Sequence, residues 1–345
     1  MNWQLQLTRC AATLACCTLI FSCTEEDNKQ AVYPSNFGFP APVYRFENNP
    51  ISVEKVQLGR LLFYDPILSQ DSTIHCGTCH APEHAFAAHN DAVSQGVGGA
   101  FGKRNSPSLS NLVWYKSFSW DGGINHIEIQ PVTPITDSVE MRESMSNVLL
   151  KLQQHRKYPQ LFKAAFNSEE ITDQQLLFAL TQFMATMVSS NSKFDQALVG
   201  KTQLLEKELM GFEIFDKHCS TCHAGALTTD FTFHDNGLTT KKESELGRYR
   251  ITQNPEDKWK FRVPSLRNVS LTYPYMHNGE IENLEQVIQL YSDGTGTVTD
   301  PAIPSDGFQF NEDEKSALLS FLKTLTDYEF VSNPKFSPNT YLLDE

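Results

Sequence analysis

The sequence predicts a mainly α-helical protein made of two domains in tandem with long loops. Three observations predict this fold class. At roughly 150 residues per domain, the 345 residues suffice for about two domains with cores of their own. One cysteine–histidine motif occurs twice, far apart in the chain. Apolar residues recur at helical spacing, whereas alternating strand patterns are nearly absent.

The repeated motif is Cys-x-x-Cys-His, at Cys76-Gly-Thr-Cys79-His80 and at Cys219-Ser-Thr-Cys222-His223. Two thiols at this spacing can form thioether bonds with a haem, and the histidine that follows can bind the iron from the proximal side. The alternatives are a thioredoxin-type redox pair or half of a zinc site. Zinc would require the two cysteine pairs to converge and would not explain both histidines. We therefore expect two covalently bound haem c groups, one in each of two cytochrome c-like domains.

The other four cysteines all lie before residue 24, so none remains for a structural disulfide. The apolar run at 11–21 is too short to span a bilayer and is typical of a secretory signal peptide. Its end resembles a bacterial lipoprotein signal, in which Cys23 would be lipidated; an ordinary cleaved signal peptide is the alternative. Both interpretations predict export to the periplasm, with a signal peptide at 1–22 and a flexible tether at 23–42. Contact with a membrane is expected only through this lipid anchor.

The rest of the chain divides into an N-terminal haem domain at 43–195 and a C-terminal haem domain at 196–345. Helical periodicity predicts helices at 172–188, 204–215 and 311–325. Two of them begin with a polar residue, Thr172 or Asn311, followed three residues later by Gln or Glu, which predicts capping boxes. The only strand candidate is the short segment 230–234.

Composition excludes several classes of protein. Lys and Arg number 28 against 41 Asp and Glu, so the net charge of −13 argues against binding of nucleic acid or anionic lipid by charge. A hydrophobic content of 40% and a mean hydropathy of −0.36 describe a soluble globular protein. Long loops without periodicity are usually functional in compact domains, and three such stretches occur, at 96–107, 120–141 and 239–264.

Several segments, in order along about 58–325, resemble one family, the bacterial di-haem cytochrome c peroxidases and their MauG-type relatives. These segments are Leu-Leu-Phe-Tyr-Asp at 61–65, Arg-Asn-Ser-Pro-Ser at 104–108, Trp-Asp-Gly at 120–122, Arg-Val-Pro-Ser-Leu-Arg-Asn at 262–268 and Tyr-Pro-Tyr-Met-His-Asn-Gly at 273–279. Gly123 stands where many members have Arg. As an ordered set, the motifs are specific to the family.

The resemblance implies that the haem at His80 is the peroxidatic one and that the haem at His223 relays electrons. It identifies Glu140 as the group that moves a proton from one peroxide oxygen to the other, which is acid–base work that suits a carboxylate. Gln130 would hydrogen-bond the peroxide, and Trp120 would lie between the haems.

The resemblance also implies a calcium ion between the domains. Its ligands would be Asn105, Thr272 and Pro274, largely through backbone carbonyls. Oxygen ligands suit this hard cation.

The sequence departs from the family at the loop 93–96. Members with a gated peroxidatic haem carry a histidine there that occupies the sixth iron position until the partner haem is reduced. This chain has Gln95, a poor iron ligand, and we interpret the nearby His84 and His89 as structural or surface residues. We therefore expect the first haem to accept peroxide without reductive gating.

A second departure concerns the sixth ligand of the second haem. Peroxidases of the family carry an axial Met where this chain has Tyr291, and MauG-type enzymes carry a Tyr ligand there. Leu284, Val287, Ile288 and Tyr291 share one face of a predicted helix, so Tyr291 would point inward. Met276 is the competing ligand, and His277 is expected to support the site without binding iron.

The resemblance implies an enzyme that reduces hydrogen peroxide to water with electrons from a small exported donor such as a cytochrome c. Two alternatives stay open. One is a MauG-like, peroxide-dependent oxidation of a protein side chain, because a phenolate ligand lowers the potential of a haem relative to Met. The other is a tethered electron-transfer cytochrome without peroxide chemistry.

Overall fold

The structure, a computed structural model, describes residues 38–88, 91–237, 244–294, 298 and 300–338. Among these residues the α-helices are α1 Val53–Tyr64, α2 Cys76–Cys79, α3 Val132–Thr136, α4 Met145–Gln154, α5 Tyr158–Phe166, α6 Asp173–Ala185, α7 Lys193–Leu198, α8 Glu206–His218, α9 Tyr249–Thr252, α10 Leu284–Asp293, α11 Glu312–Lys323 and α12 Tyr328–Val331. One small antiparallel sheet pairs β1 Phe233–His234 with β2 Phe261–Arg262. The prediction of a mainly α fold is confirmed. None of the described helices is long and apolar enough to cross a bilayer, and the predicted signal peptide and Cys23 lie outside the described residues.

The predicted helix starts rest on local hydrogen bonds. Thr172 caps α6 in a capping box with Gln175, and Asn311 caps α11 in the same way with Glu314. Each cap satisfies backbone N–H groups that the first helical turn leaves without partners. Helix α8 continues beyond its predicted end to His218, so that it delivers Cys219 directly to the second haem motif.

The N-terminal core forms where α1 crosses α6. The helices approach most closely at Gly59, where a Cβ atom would lie 1.9 Å from the backbone oxygen of Ala179. Phe63 and Phe183 are fully buried beside this crossing, with ring centroids 5.4 Å apart. Only glycine permits such close helix packing, so Gly59 sets the distance between the two helices.

The second core repeats this crossing with α8 and α11. A Cβ atom on Gly211 would lie 2.0 Å from the backbone oxygen of Ala317. Phe215 and Phe321 pack beside it, with ring centroids 5.0 Å apart. Both haem units therefore contain the same kind of helix crossing, with a glycine of one helix against the backbone of the other.

The loops that follow each haem motif are also duplicated. Asn111 and Asn268 both adopt a left-handed backbone conformation, with φ of 60°, and each opens a short 3₁₀ turn. An isolated bridge follows each turn, Phe118 to Ile124 in the first unit and Tyr275 to Ile281 in the second. The Pro-Ser-Leu segments at 107–109 and 264–266 precede the two turns.

The duplicated loops exchange hydrogen bonds between the two units. The backbone N–H of Asn105 donates to the oxygen of His277, at 2.8 Å. The backbone N–H of Arg262 donates to the oxygen of Trp120, also at 2.8 Å. Asn105 and Arg262 each lie two residues before a Pro-Ser-Leu segment. The two hydrogen bonds are therefore equivalent, one running from each unit to the other.

The end of the described chain returns to the first unit. Phe330 and Phe336 join the core that contains Phe63 and Phe183. The Tyr64 hydroxyl donates to the oxygen of Phe336 at 2.5 Å. The last described residues therefore pack on the N-terminal unit although they follow the C-terminal one in sequence. The boundary between residues 195 and 196 stays a prediction.

Candidate haem sites

The first haem motif opens onto a cavity beside His80, here called the first cavity. Cys76, Cys79 and His80 line it. Nδ1 of His80 lies 2.7 Å from the backbone oxygen of Phe86, so this nitrogen donates its proton there and Nε2 is left for iron. Burial lowers the pKa of His80 to about 4, which keeps the imidazole in its neutral, metal-binding form.

Glu140 and Gln130 line this same first cavity. The short helix α3 and the turn after it bring them together, since the N–H of Glu140 donates to the oxygen of Asp137 at 3.1 Å. The side-chain oxygen Oε1 of Gln130 is buried and has no hydrogen-bond partner within the described structure. A buried polar atom in this state indicates a site for a ligand or water.

Glu140 is the only Asp, Glu, Lys or Arg among the described residues that line the first cavity. Burial raises its pKa to about 7, and the nearby charge of Asp137 adds to the shift. A carboxylate with this pKa can take up and release a proton near neutral pH.

The loop that contains Gln95 packs against the backbone of Glu140. A Cβ atom on Gly96 would lie 2.2 Å from the oxygen of Val139, and the N–H of Val97 donates to the oxygen of Glu140 at 2.9 Å. Gln95 lines the first cavity. His84 is held elsewhere, with Nδ1 3.1 Å from the oxygen of Leu271, while His89 lies outside the described residues.

The second haem motif opens onto a separate cavity, here called the second cavity. Cys219, Cys222 and His223 line it. Nδ1 of His223 lies 3.2 Å from the oxygen of Thr228, which repeats the orientation of His80. Neither cysteine pair forms a disulfide.

Tyr291 and Met276 both line the second cavity. Tyr291 projects from α10 on the apolar face that the sequence predicts. The side-chain amide of Asn236 donates to the Tyr291 hydroxyl at 3.3 Å and to the Met276 sulfur at 3.9 Å. Burial raises the pKa of Tyr291 to about 12, while the hydrogen bond from Asn236 acts in the opposite direction.

Trp120 also lines the second cavity. Its indole N–H donates to the backbone oxygen of Asn105 at 2.8 Å. The next residue along that loop, Ser106, lines both cavities. Trp120 is therefore one hydrogen bond and one peptide unit away from a residue that borders the first cavity.

The three residues of the expected calcium site border the same cavity, the second one, although Asn105 is far from the other two in sequence. Asn105, Thr272 and Pro274 all line it. The amide of Asn105 donates to the oxygen of Ala92 at 3.1 Å. His277 lies nearby, with its ring stacked on Phe261 at a centroid distance of 3.7 Å.

The residues present fit a haem c in each cavity. Each cavity contains two unpaired cysteine thiols and a histidine whose Nδ1 is already engaged, and each contains a buried polar atom without a partner in the described chain. These orphaned atoms are Gln130 Oε1 in the first cavity and Arg262 Nη1 in the second. Such atoms fit a bound polar group better than an empty apolar pocket.

Sequence reasoning did not assign roles to two side chains at the second cavity. Asn236 belongs to no recognised motif, and only the fold brings it into contact with Tyr291 and Met276. Arg262 opens the Arg-Val-Pro-Ser-Leu segment, which was the one available signal.

Two family models match the chain, and each matched range contains one of the haem motifs. Residues 53–203 match the family model for di-haem cytochrome c peroxidase, and residues 209–326 match that for cytochrome c. The methylamine utilization protein MauG of Methylorubrum extorquens is 32% identical, over 94% of this chain and 93% of its own. The cytochrome c551 peroxidase of Nitrosomonas europaea is 33% identical, over 80% of this chain and 81% of its own.

A solved structure extends the comparison to the fold. The crystal structure of a MauG-like protein associated with microbial copper homeostasis is 32% identical, with a TM-score of 0.82 over 89% of this chain and 98% of that one. This family carries its two haem groups on the kind of motif found at His80 and His223, in proteins that are exported. The chain therefore belongs to the di-haem cytochrome c peroxidase and MauG family and carries two haem c groups.

Proposed function

We propose that this protein reduces hydrogen peroxide to water with electrons from a small exported donor protein such as a cytochrome c. The observation that supports this proposal most directly is the placement of Glu140 and Gln130 in the same cavity as His80. A protein that only relayed electrons would have no use for a proton-exchanging carboxylate beside an iron site.

The haem iron of the first cavity supplies the redox chemistry that cleaves the O–O bond. Glu140 takes the proton from one oxygen of hydrogen peroxide and returns it to the other, so that water can leave. The side chain of Gln130 holds the peroxide by a hydrogen bond. The full reaction consumes two protons and two electrons for each peroxide and yields two water molecules.

The second cavity provides the route for those electrons. Trp120 borders it, and the indole is joined through Asn105 to Ser106, which borders the first cavity as well. Donor electrons therefore enter at the second haem and pass towards the first through Trp120 and the loop at Asn105 and Ser106.

Peroxide turnover with reduced cytochrome c tests the proposal. We expect two donor molecules oxidised per peroxide, and about a hundredfold slower turnover in Glu140→Gln with both haems retained, since a positioned acid–base group typically contributes at least this factor. The matched control is Glu170→Gln, at an exposed position of the same unit, which should retain wild-type turnover. Turnover by Glu140→Gln at the wild-type rate would contradict the role of Glu140. No donor oxidation by a wild-type protein with both haems would favour the electron-transfer alternative.

The first haem is proposed to need no reductive gating, because Gln95 stands where gated members carry a histidine ligand. We expect the fully oxidised protein to show a five-coordinate, high-spin first haem that binds cyanide at once. A low-spin first haem that binds cyanide only after partial reduction would contradict this proposal.

A MauG-like oxidation of a protein side chain is the second candidate function, and Tyr291 favours it. The phenol lies at the second cavity with a hydrogen bond from Asn236. Ligation by an anionic oxygen would lower the potential of the second haem, which makes it a poor acceptor from a high-potential donor and a better store of oxidising equivalents.

Paired substitutions separate the two candidate ligands. If Tyr291 binds the iron, the low-spin ferric EPR signal should be lost or converted in Tyr291→Phe and kept in Met276→Leu. Tyr291→Met should then improve oxidation of a high-potential cytochrome. A silent Tyr291→Phe spectrum, together with fast wild-type turnover of that donor, would remove the MauG-like candidate.

A calcium ion at Asn105, Thr272 and Pro274 is a further part of the proposal. Asn105 belongs to the first unit and Thr272 and Pro274 to the second, and carbonyl and amide oxygens such as theirs are ligands that calcium accepts. We expect a chelator to lower the melting temperature and calcium to restore it, with a smaller response in Asn105→Ala. An identical melting temperature with and without chelator would contradict the site.

Lipid attachment at Cys23 completes the proposal. We expect the wild-type protein to fractionate with membranes and Cys23→Ser to be released in soluble form with both haems. A wild-type protein found in the soluble periplasmic fraction would indicate an ordinary cleaved signal peptide.

A further inference from the structure

Arg262 is a buried cation at the second cavity. It lies on β2, where its backbone N–H is bound to the oxygen of Trp120, and only 5% of the residue is exposed. It lines the second cavity, where it is the only Lys, Arg, Asp or Glu among the described lining residues.

No carboxylate contacts the Arg262 guanidinium in the described structure; burial lowers the pKa of this group, and the side chain of Tyr115 acts in the opposite direction. The group lies over the ring of Tyr115 at 4.5 Å, and Nε donates to the oxygen of Ser119 at 3.4 Å. Nη1 is buried, and none of the described residues provides it with a hydrogen-bond partner.

Three carboxylates in this part of the fold bond to other side chains. Asp121 and Glu245 bind Arg104, at 2.6 and 2.8 Å. Asp300 pairs with His234. In the described ranges no carboxylate lies within ion-pair distance, 4.0 Å, of Arg262.

A guanidinium in this position calls for an anion. Arginine stays protonated in proteins, so it cannot avoid the cost of burial by losing its charge. An unpaired buried ion costs several kcal/mol, and a carboxylate is the partner whose two oxygens match the guanidinium fork.

We propose that Arg262 binds a propionate carboxylate of the second haem and balances its negative charge. The inference rests on the second haem, which family membership supplies, and is independent of peroxide reduction. The stacking on Tyr115 and the backbone bond to Trp120 hold the guanidinium at the wall of the cavity. Its counterpart in the first unit is the neutral Asn105, so the effect is confined to the second haem.

The pairing has a consequence for electron transfer. A cation that offsets the propionate favours the reduced iron, because reduction lowers the positive charge of the haem. Arg262 thereby raises the reduction potential of the second haem above the value that the bare carboxylate would set, which makes it a better acceptor from a donor protein.

Reduction potentials of both haems, measured by spectroelectrochemical titration of the holoprotein, test the proposal. Arg262→Gln should lower the potential of the second haem and leave that of the first unchanged, while Arg262→Lys should keep most of the wild-type value. The control is Arg248→Gln, which removes a guanidinium stacked on Phe233 at 3.8 Å outside the cavity lining and should change neither potential.

A purely structural role of Arg262 gives a different result. If the side chain only packs on Tyr115, both Arg262 variants should lower the melting temperature alike, and the second haem should keep its potential, which would overturn the proposal. If Arg262→Gln does not retain two haems, the resonance Raman propionate-bending band of Arg262→Lys decides. A shift from wild type is expected because an ammonium cannot make the forked contact, and an unshifted band would overturn the proposal.

Discussion

The two cavities are built by duplicated helices and loops, yet they contain opposite charges. In the described lining of the first cavity the only Asp, Glu, Lys or Arg is Glu140, whereas in that of the second it is Arg262. A carboxylate with a pKa of about 7 can exchange a proton. A guanidinium cannot, but it can hold an anion and favour a reduced iron. Under the two proposals made above, one scaffold supports proton chemistry at one haem and charge compensation at the other.

The largest expected effect comes from removing each haem in turn. Cys76→Ala with Cys79→Ala should leave one haem and abolish peroxide turnover. Cys219→Ala with Cys222→Ala should also leave one haem. This variant should still cleave peroxide at the first haem when an added small-molecule reductant supplies the electrons. Pyridine haemochrome analysis counts the haems. A wild-type value near one haem per chain would contradict the assignment of one haem to each cavity.

The matched glycines test whether the two units depend on their helix crossings equally. Gly59→Ala and Gly211→Ala each place a methyl group within about 2 Å of a backbone oxygen, so each should lower the free energy of unfolding by about 1–3 kcal/mol or more. Gly200→Ala is the control, because the added methyl group has open space around it. Its φ of +72° means that this substitution should lower the free energy of unfolding only through backbone strain. Chemical denaturation of the holoproteins measures these changes. A wild-type midpoint in either crossing variant would show that its helices can move apart.

The pH profile of turnover sharpens the distinction between the cavities. Because burial raises the pKa of Glu140 to about 7, the carboxyl is protonated below that pH and cannot accept the proton of peroxide. Turnover should fall about tenfold per pH unit below 7 and level off above it. Glu140→Gln should have a flat profile over the same range. The same acid limb in Glu140→Gln would assign the titration to another group.

The smallest expected effect concerns Gln130. Gln130→Ala removes one hydrogen bond to the peroxide, worth about 1 kcal/mol, so peroxide turnover at low substrate should fall about fivefold. Gln154→Ala, at an exposed position on α4, is the control. Stopped-flow measurement of the second-order rate with peroxide distinguishes the two. Equal rates in both variants would leave Gln130 without a role in binding.

Much of the site was predictable because its signals are local. The Cys-x-x-Cys-His motifs fix a haem within one helical turn, and the capping boxes of α6 and α11 lie within four residues. The inward face of α10 likewise follows from periodicity alone. Resemblance to the family added Glu140, Gln130 and Trp120, which no local pattern would have selected.

Helix α1 shows where local signals fail. It buries Leu61, Leu62, Phe63 and Tyr64 in succession, so its apolar residues do not show the helical period. The helix is specified by the packing of both its faces, and in particular by the contact of Gly59 with Ala179 on a helix far along the chain.

By itself the sequence determined the number of haems and the helical class, and it predicted His80 and His223 as the proximal ligands, since thioether chemistry and helix capping depend only on neighbouring residues. Only the tertiary structure decided which charges border each haem. Arg262 and Trp120 meet through a backbone hydrogen bond between the two units, and Asn236 meets Tyr291 across the second cavity. The burial of Arg262, and the lack of a carboxylate beside it in the part of the chain that the structure describes, result from the whole fold, because they depend on residues that are distant in sequence and adjacent only in space.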